Sequence, residues 1–180
     1  VLALDYRLAP EYPFPAAFDD AWAVFQQSPA FADAQGLDGH RLAVGGDSAG
    51  GNLAAVVAIA LRDAGDIALD YQLLIYPATD MRRVAPSHTS NAQGYLLTAD
   101  TLAYFHDHYI ADATHAGDWR ASPLLREDLG KLPPALVLTA GYDPLRDEGL
   151  AYAQRLSDAG NRATHVCFER QIHGFITMGR

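Results

Sequence analysis

A serine set between glycines, in the five residues 46–50, is the part of this sequence best suited to chemistry. The stretch before it, residues 41–44, predicts a short buried strand, and the apolar residues 52–61 after it are numerous enough for a helix. On such a strand-to-helix turn the backbone of Ser48 is strained and its hydroxyl stands clear of the sheet. We therefore predict that Ser48 is a nucleophile, activated by a base within hydrogen-bond reach.

The flanking glycines and the following helix have physical reasons to be there. Residues two before and two after the serine come close together at this turn, so Gly46 and Gly50 are expected to be glycine because a Cβ would collide. The helix that follows directs its N-terminal N–H groups and the positive end of its dipole at the place where negative charge develops during acyl transfer.

A base and a residue to orient it follow later in the chain. His173 can take the proton of Ser48 and return it to a leaving alcohol, because an imidazole titrates near neutrality. Asp143 would accept a hydrogen bond from that imidazole and hold its tautomer. Asp147 and Glu148 are rivals for this role, although Pro144 fixes a turn at the strand end and so favours Asp143. The other histidines precede the serine or do not follow a strand.

Alternating strands and helices are predicted to hold these residues. The expected strands are 1–5, 41–44, 71–77, 135–140 and 164–168, and the expected helices cover about 16–27, 52–62, 98–110 and 149–159. Ser28-Pro29 is predicted to end the first helix. This order indicates a parallel sheet with its polar residues at the carboxyl ends of the strands. Residues 80–122 break the rhythm and are interpreted as an insertion.

Composition excludes some classes of partner. The chain has 180 residues, enough for one domain, and a net charge of −9 that argues against nucleic acid or an anionic membrane surface. No stretch is long and apolar enough to insert stably in a membrane. His106 and His108, two residues apart on a predicted helix, point in different directions, so a solvated face is favoured over a metal site. Asp47 is expected to have a structural role.

Four motifs in one order carry a family resemblance: residues 5–11, 46–51, 143–149 and 173–175. Together they resemble the hormone-sensitive-lipase-like carboxylesterases of the α/β-hydrolase fold. The resemblance implies a catalytic triad of Ser48, Asp143 and His173, and a cap over the site built partly from residues 80–122. It also implies hydrolysis of short- to medium-chain carboxylic esters through an acyl-enzyme, with no cofactor and with a small-molecule ester as the partner.

The sequence departs from this family at its beginning. The family carries a His-Gly-Gly-Gly loop before the motif at residues 5–11, and its N–H groups supply much of the oxyanion hole. Here only the N–H of Ala49 remains as an expected donor. Residues 1–180 are therefore expected to be a truncated catalytic core, without the first strands and the last helix, that is nearly inactive alone. For the full-length parent, a cytoplasmic location and a homodimer are further expectations.

Two alternatives to an esterase remain open from the sequence. The first is a ligand-binding protein on the same scaffold, as in the plant gibberellin receptors, which have lost catalytic function; the presence of His173 argues against it. The second keeps the nucleophile but acts on amides or on another carbonyl compound, as a hydrolase or a lyase. A panel of substrates separates these alternatives.

Overall fold

A four-stranded parallel sheet forms the centre of the computed structural model, which describes residues 1–179. The strands are β1 (Ala43–Asp47), β2 (Tyr71–Ile75), β3 (Ala135–Tyr142) and β4 (Ala163–Ile172), and they lie side by side in that order. Each strand pairs in parallel with the next. All the carboxyl ends therefore meet at one edge, and the predicted parallel sheet is confirmed.

Helices flank this sheet and supply its core. They are α1 (Ala16–Ala34), α2 (Ala49–Ala64), α3 (Ser87–Ser90), α4 (Ala99–Tyr109) and α5 (Arg146–Asp158). One core cluster joins Ile59 of α2 and Leu156 of α5 to Val44, Leu74 and Val137 of the sheet, so both helices cover the same face. Helix α1 packs on the outer side of α2, which explains why α2 is apolar nearly all round. None of the helices within residues 1–179 is long and apolar enough to cross a bilayer.

The first residues do not form the strand that their apolar pattern predicts. Residues 1–8 have no regular structure, and the side chains of Val1 and Leu2 are exposed. A strand needs a hydrogen-bonded neighbour, and within residues 1–179 β1 pairs only with β2. This segment is instead attached to α1 by Arg7, whose backbone N–H and guanidinium both donate to the Asp20 carboxylate at 2.7–3.0 Å.

Helix α1 continues through Pro29, where the sequence predicts its end. A proline inside a helix lacks the N–H that would bond the carbonyl four residues earlier. Here the Ser28 hydroxyl donates to that carbonyl, the one of Phe25, at 2.8 Å. The side chain replaces the missing backbone donor, and the helix reaches Ala34.

Asn52, in the first turn of α2, holds both ends of the segment that breaks the strand–helix rhythm. Its side-chain amide donates to the carbonyls of Ala78 and Ala121, each at 2.7 Å. Asn52 is 2% exposed and Ala121 is 0% exposed, so the Ala121 carbonyl has no water as a substitute for the amide. Between these points lies α4, close to its predicted bounds, with Thr98 as its N-cap.

Replacing Asn52 by Asp tests this attachment. The carboxylate keeps the shape of the side chain but sets an acceptor against two carbonyl oxygens. We expect Asn52→Asp to lower the free energy of unfolding by about 2–5 kcal/mol, measured by urea denaturation. Gln27→Glu, which makes the same chemical change on an exposed position of α1, is the control and is expected to change it by under about 0.5 kcal/mol. Equal losses in the two variants would contradict the assigned role of Asn52.

Candidate active site

Ser48 lies between β1 and α2 in a strained backbone conformation. Its φ is 53° and its ψ is −114°, a positive φ that non-glycine residues rarely adopt. Its N–H donates to the carbonyl of Ile75 at 2.9 Å, which ties the turn to the neighbouring strand. This hydrogen bond to the sheet helps to keep Ser48 in the strained conformation that the sequence predicts for this turn.

Of the two glycines predicted at this turn, only Gly46 is needed to avoid a steric clash. A Cβ on Gly46 would lie 2.2 Å from the carbonyl oxygen of Gly50, whereas a Cβ on Gly50 would meet nothing within 4 Å. The prediction for Gly50 is therefore wrong, because its Cβ would point away from the turn rather than across it. Gly51 is the second tight position, since its Cβ would come within 3.0 Å of the Pro77 Cβ.

His173 hydrogen-bonds both of the other predicted site residues. Its Nε2 lies 2.9 Å from the Ser48 Oγ, and its Nδ1 lies 2.7 Å from Oδ2 of Asp143. An ionised carboxylate can only accept, so Nδ1 carries the proton and Nε2 is free to accept from the serine hydroxyl. This is the arrangement in which an imidazole can remove the serine proton.

Asp143 is fully buried at the end of β3, with 0% exposure. Its second oxygen, Oδ1, accepts the N–H of Leu145 at 2.8 Å. Both carboxylate oxygens therefore have donors, which offsets the cost of a buried charge. Asp147, the rival from the sequence, instead pairs with Arg146 at 2.7 Å, and Glu148 pairs with His88 at 2.6 Å.

β3 and β4 approach each other closely just before the loops that carry Asp143 and His173. The pairing of the two strands is irregular between Ala140 and Tyr142. A Cβ on Gly141 would lie 2.0 Å from the carbonyl oxygen of Glu169, so no other residue fits there without a shift. Such an irregularity bends a strand locally, and here it lies just before the loop that carries His173.

Tyr76 is a neighbour of His173 that sequence reasoning missed. Its ring centroid lies 4.5 Å from that of the imidazole, and the side chain is only 1% exposed. Burial and the nearby Asp47 carboxylate raise the pKa of Tyr76 to about 12, so the phenol is neutral at physiological pH. Its position directly after β2, at the carboxyl edge of the sheet, was the available signal. Asp47 itself is exposed, so it is not the buried acid considered from the sequence.

The sequence analysis also singled out Ala49, His106 and His108, and the structure shows the surroundings of each. Ala49 is the first residue of α2 and is exposed, and the N–H of a first helical residue has no partner within its helix. His106 contacts Asp107, whereas the Nδ1 of His108 lies 2.7 Å from the Tyr104 carbonyl oxygen. Residues 1–179 contain no group of three or more His, Cys, Asp or Glu side chains arranged to hold a metal ion.

Among the side chains of residues 80–122 near the site are two neighbours in sequence, Tyr95 and Leu96. Tyr95 stacks on Tyr142 at the end of β3, with ring centroids 4.8 Å apart. Leu96 lies against the loop after β4, where a Cβ on Gly174 would come within 3.7 Å of it. This segment therefore lies beside the loops that carry Asp143 and His173.

Substituting the two glycines of the turn tests their unequal roles. We expect Gly46→Ala to lower the free energy of unfolding by roughly 3 kcal/mol or more, because its Cβ meets backbone that cannot move freely. Gly50→Ala is expected to be neutral or to stabilise by up to about 1 kcal/mol, since alanine favours the helix. Thermal and urea unfolding measure both changes. A destabilisation of similar size in the two variants would refute the steric argument.

Comparison of the sequence with known proteins identifies its family and several similar proteins. A family model described as the alpha/beta hydrolase fold matches residues 1–177. The carboxylic ester hydrolase LipN of Mycobacterium tuberculosis is 45% identical over 184 residues, which cover 99% of this chain and 49% of LipN. The ethyl acetate hydrolase of Pseudomonas putida is 41% identical over 180 residues, covering 99% of this chain and 57% of that protein.

Solved structures give the same result. EstE1, a thermostable carboxylesterase cloned from a metagenomic library, superimposes with a TM-score of 0.93 at 47% identity, covering 96% of this chain and 60% of EstE1. The hyperthermophilic esterase of the archaeon Pyrobaculum calidifontis superimposes with a TM-score of 0.92 at 47% identity, covering 96% and 57%. The chain thus spans about half the length of the curated relatives it matches. It belongs to the α/β-hydrolase family, in the hormone-sensitive-lipase-like group.

Proposed function

We propose that the protein containing this chain is a serine carboxylesterase that hydrolyses short- to medium-chain esters. The observation that carries the proposal is the continuous hydrogen-bonded series from the Ser48 hydroxyl through His173 to the buried Asp143. Each of these groups has the partner that acyl transfer requires, and the strained turn exposes the hydroxyl to a substrate.

In the first half of the proposed reaction an ester is cleaved. Nε2 of His173 accepts the proton of Ser48 as the Oγ attacks the carbonyl carbon, and the carbonyl oxygen becomes an oxyanion. The imidazolium that forms is stabilised by Asp143, which remains ionised. The proton then passes to the leaving alkoxy oxygen, the alcohol departs, and the acyl group stays on Ser48.

The second half regenerates the enzyme. His173 removes a proton from water as the water oxygen attacks the acyl carbon, and it returns that proton to the Ser48 Oγ. The carboxylic acid is then released. In both halves the N–H of Ala49, at the positive end of the α2 dipole, is the proposed oxyanion donor within this chain.

Two further observations support an ester as the substrate. The relatives named above are described as hydrolases of carboxylic esters, one of them of ethyl acetate. The segment 80–122 lies beside the site, with Tyr95 stacked on Tyr142 and Leu96 near Gly174, and we propose that it forms part of a cap that limits the length of the acyl group. The complete protein, rather than this chain alone, is the unit to which the proposal applies.

Substitutions in the complete protein test the roles of the three residues. With p-nitrophenyl acetate and butyrate we expect Ser48→Ala and Asp143→Asn each to lower kcat by about 10⁴-fold or more, because the first removes the nucleophile and the second favours the wrong imidazole tautomer. Asp147→Asn, which makes the same amide change at the rival residue, is expected to retain kcat within about threefold. Loss of activity in Asp147→Asn with retention in Asp143→Asn would reverse the assignment.

The acyl-enzyme step gives an independent test. Mixing the protein with a p-nitrophenyl ester whose deacylation is slow should release about one p-nitrophenol per active site in an initial burst. Intact-mass spectrometry should then show one acyl group, located on the peptide that contains Ser48. A mass unchanged through the burst, or an acyl group on another residue, would exclude this mechanism.

A further inference from the structure

The loop that carries Asp143 is held by side chains in and next to the short helix α3, which lies much earlier in the chain. We define the acid loop as residues 141–148. The side-chain amide of Asn91, next to α3, donates to the carbonyl of Asp143 at 3.0 Å and to that of Gly141 at 3.2 Å. These are backbone groups of the acid itself and of the residue two before it.

Ser87 holds the other half of the acid loop. Its hydroxyl donates to the carbonyl of Pro144 at 2.6 Å and accepts the N–H of Asp147 at 3.1 Å. Ser87 is 0% exposed and Asn91 is 6% exposed. Loss of the Ser87 hydroxyl removes a donor from the Pro144 carbonyl and an acceptor from the Asp147 N–H. Loss of the Asn91 amide leaves the carbonyls of Asp143 and Gly141 with donors from Arg146, its backbone N–H and its guanidinium, each at 3.1 Å.

These contacts are specific to one side of α3. Residues 89 and 90, on the same short helix, are exposed. Ser87 and Asn91 are four residues apart and therefore share a face, and that face is the one turned to the acid loop. Four hydrogen bonds between two side chains and a single loop fix the backbone on both sides of the catalytic acid.

We propose that Ser87 and Asn91 are positioning residues, which set the Asp143 carboxylate against Nδ1 of His173. They act through the backbone of the acid loop and do not touch the substrate. The inference rests on the proposed function, since it assigns a role in the same reaction. Without the two side chains the loop gains freedom, and the 2.7 Å contact between Asp143 and His173 is no longer held in one geometry.

A separate contact keeps α3 in place when either residue is changed. Nε2 of His88 lies 2.6 Å from Oε2 of Glu148, whose other oxygen accepts the N–H groups of Thr79 at 2.6 Å and of Asp80 at 3.2 Å. Glu148 is 1% exposed. This buried group links α3 to the first turn of α5 independently of Ser87 and Asn91, so single substitutions at those two positions are expected to leave the fold intact.

The test uses Ser87→Ala and Asn91→Asp in the complete protein, with Ser90→Ala as the matched control on the exposed side of α3. Active sites are counted with a p-nitrophenyl phosphonate that bonds covalently to the serine, and kcat is expressed per counted site. We expect kcat per site to fall by roughly 10- to 100-fold in Ser87→Ala and Asn91→Asp, with KM changed by less than about threefold, because a small misplacement of a catalytic group has an effect of this size.

A spectroscopic measurement separates positioning from stability. The proton shared by His173 Nδ1 and Asp143 gives a low-field proton NMR resonance, which reports the geometry of that bond in the resting protein. We expect this resonance to shift or broaden in Ser87→Ala and Asn91→Asp and to stay unchanged in Ser90→Ala. A merely structural role would lower the melting temperature but leave both the resonance and kcat per counted site as in the wild type.

The outcomes are distinguishable. Wild-type kcat per site in folded Ser87→Ala overturns the proposal, and that variant decides the matter if Asn91→Asp does not fold. A wild-type protein that hydrolyses no ester would instead refute the proposed function, and the resonance would still show whether Ser87 and Asn91 position Asp143. A fall in kcat per site equal in Ser90→Ala would also overturn the proposal, since that side chain is exposed and faces away from the acid loop.

Discussion

The alignment of the strand ends is the constraint on which the site depends. Ser48 follows β1, Asp143 follows β3 and His173 follows β4, so parallel pairing brings all three to one edge of the sheet. Neighbouring strands are about 4.8 Å apart, which places the ends of β1 and β4 about 14 Å from each other. The side chains meet because loops project from these ends. The pairing of β3 and β4 is irregular at Gly141, in the same region.

The proposed nucleophile, Ser48, and the proposed acid, Asp143, are held in place by different interactions. Ser48 is kept in an unfavourable backbone conformation by the strand before it, the helix after it and a hydrogen bond to β2. Asp143 is kept by donors to both carboxylate oxygens and by buried side chains that bond the backbone of its loop. The imidazole lies between these two fixed groups, against the ring of Tyr76. Its freedom is limited on several sides before any substrate arrives.

Much of this arrangement could be predicted from local patterns in the sequence. Serine between glycines, a helix that begins directly after it, and polar residues placed just after apolar runs were sufficient to select Ser48, Asp143 and His173. Each of these signals lies within a few residues of the side chain concerned. The parallel sheet followed from the alternation of strands and helices, because that alternation leaves few other topologies.

What could not be predicted depends on three-dimensional contacts that no sequence motif records. Pro29 signals a helix end, and only the Ser28 hydroxyl bonded to Phe25 reverses that reading. Gly50 looks equivalent to Gly46 until the direction of each missing Cβ is known. The apolar run at residues 1–5 resembles a strand, yet strand formation is decided by a neighbour rather than by composition. Ser87 and Asn91 carry no motif, and their importance follows from the loop they face.

The sequence separation of the partners has a consequence for folding. The hydrogen bond between Ser48 and His173 joins residues 125 positions apart, and it exists only when every strand between them is in register. Contacts of such high separation form late, because a long loop must be closed before they contribute any energy. A partly folded chain can bury much of its apolar surface and still have no base beside the serine. On the proposed mechanism, covalent reaction at Ser48 is thus a marker of completed folding, which a nascent or misassembled chain would not give.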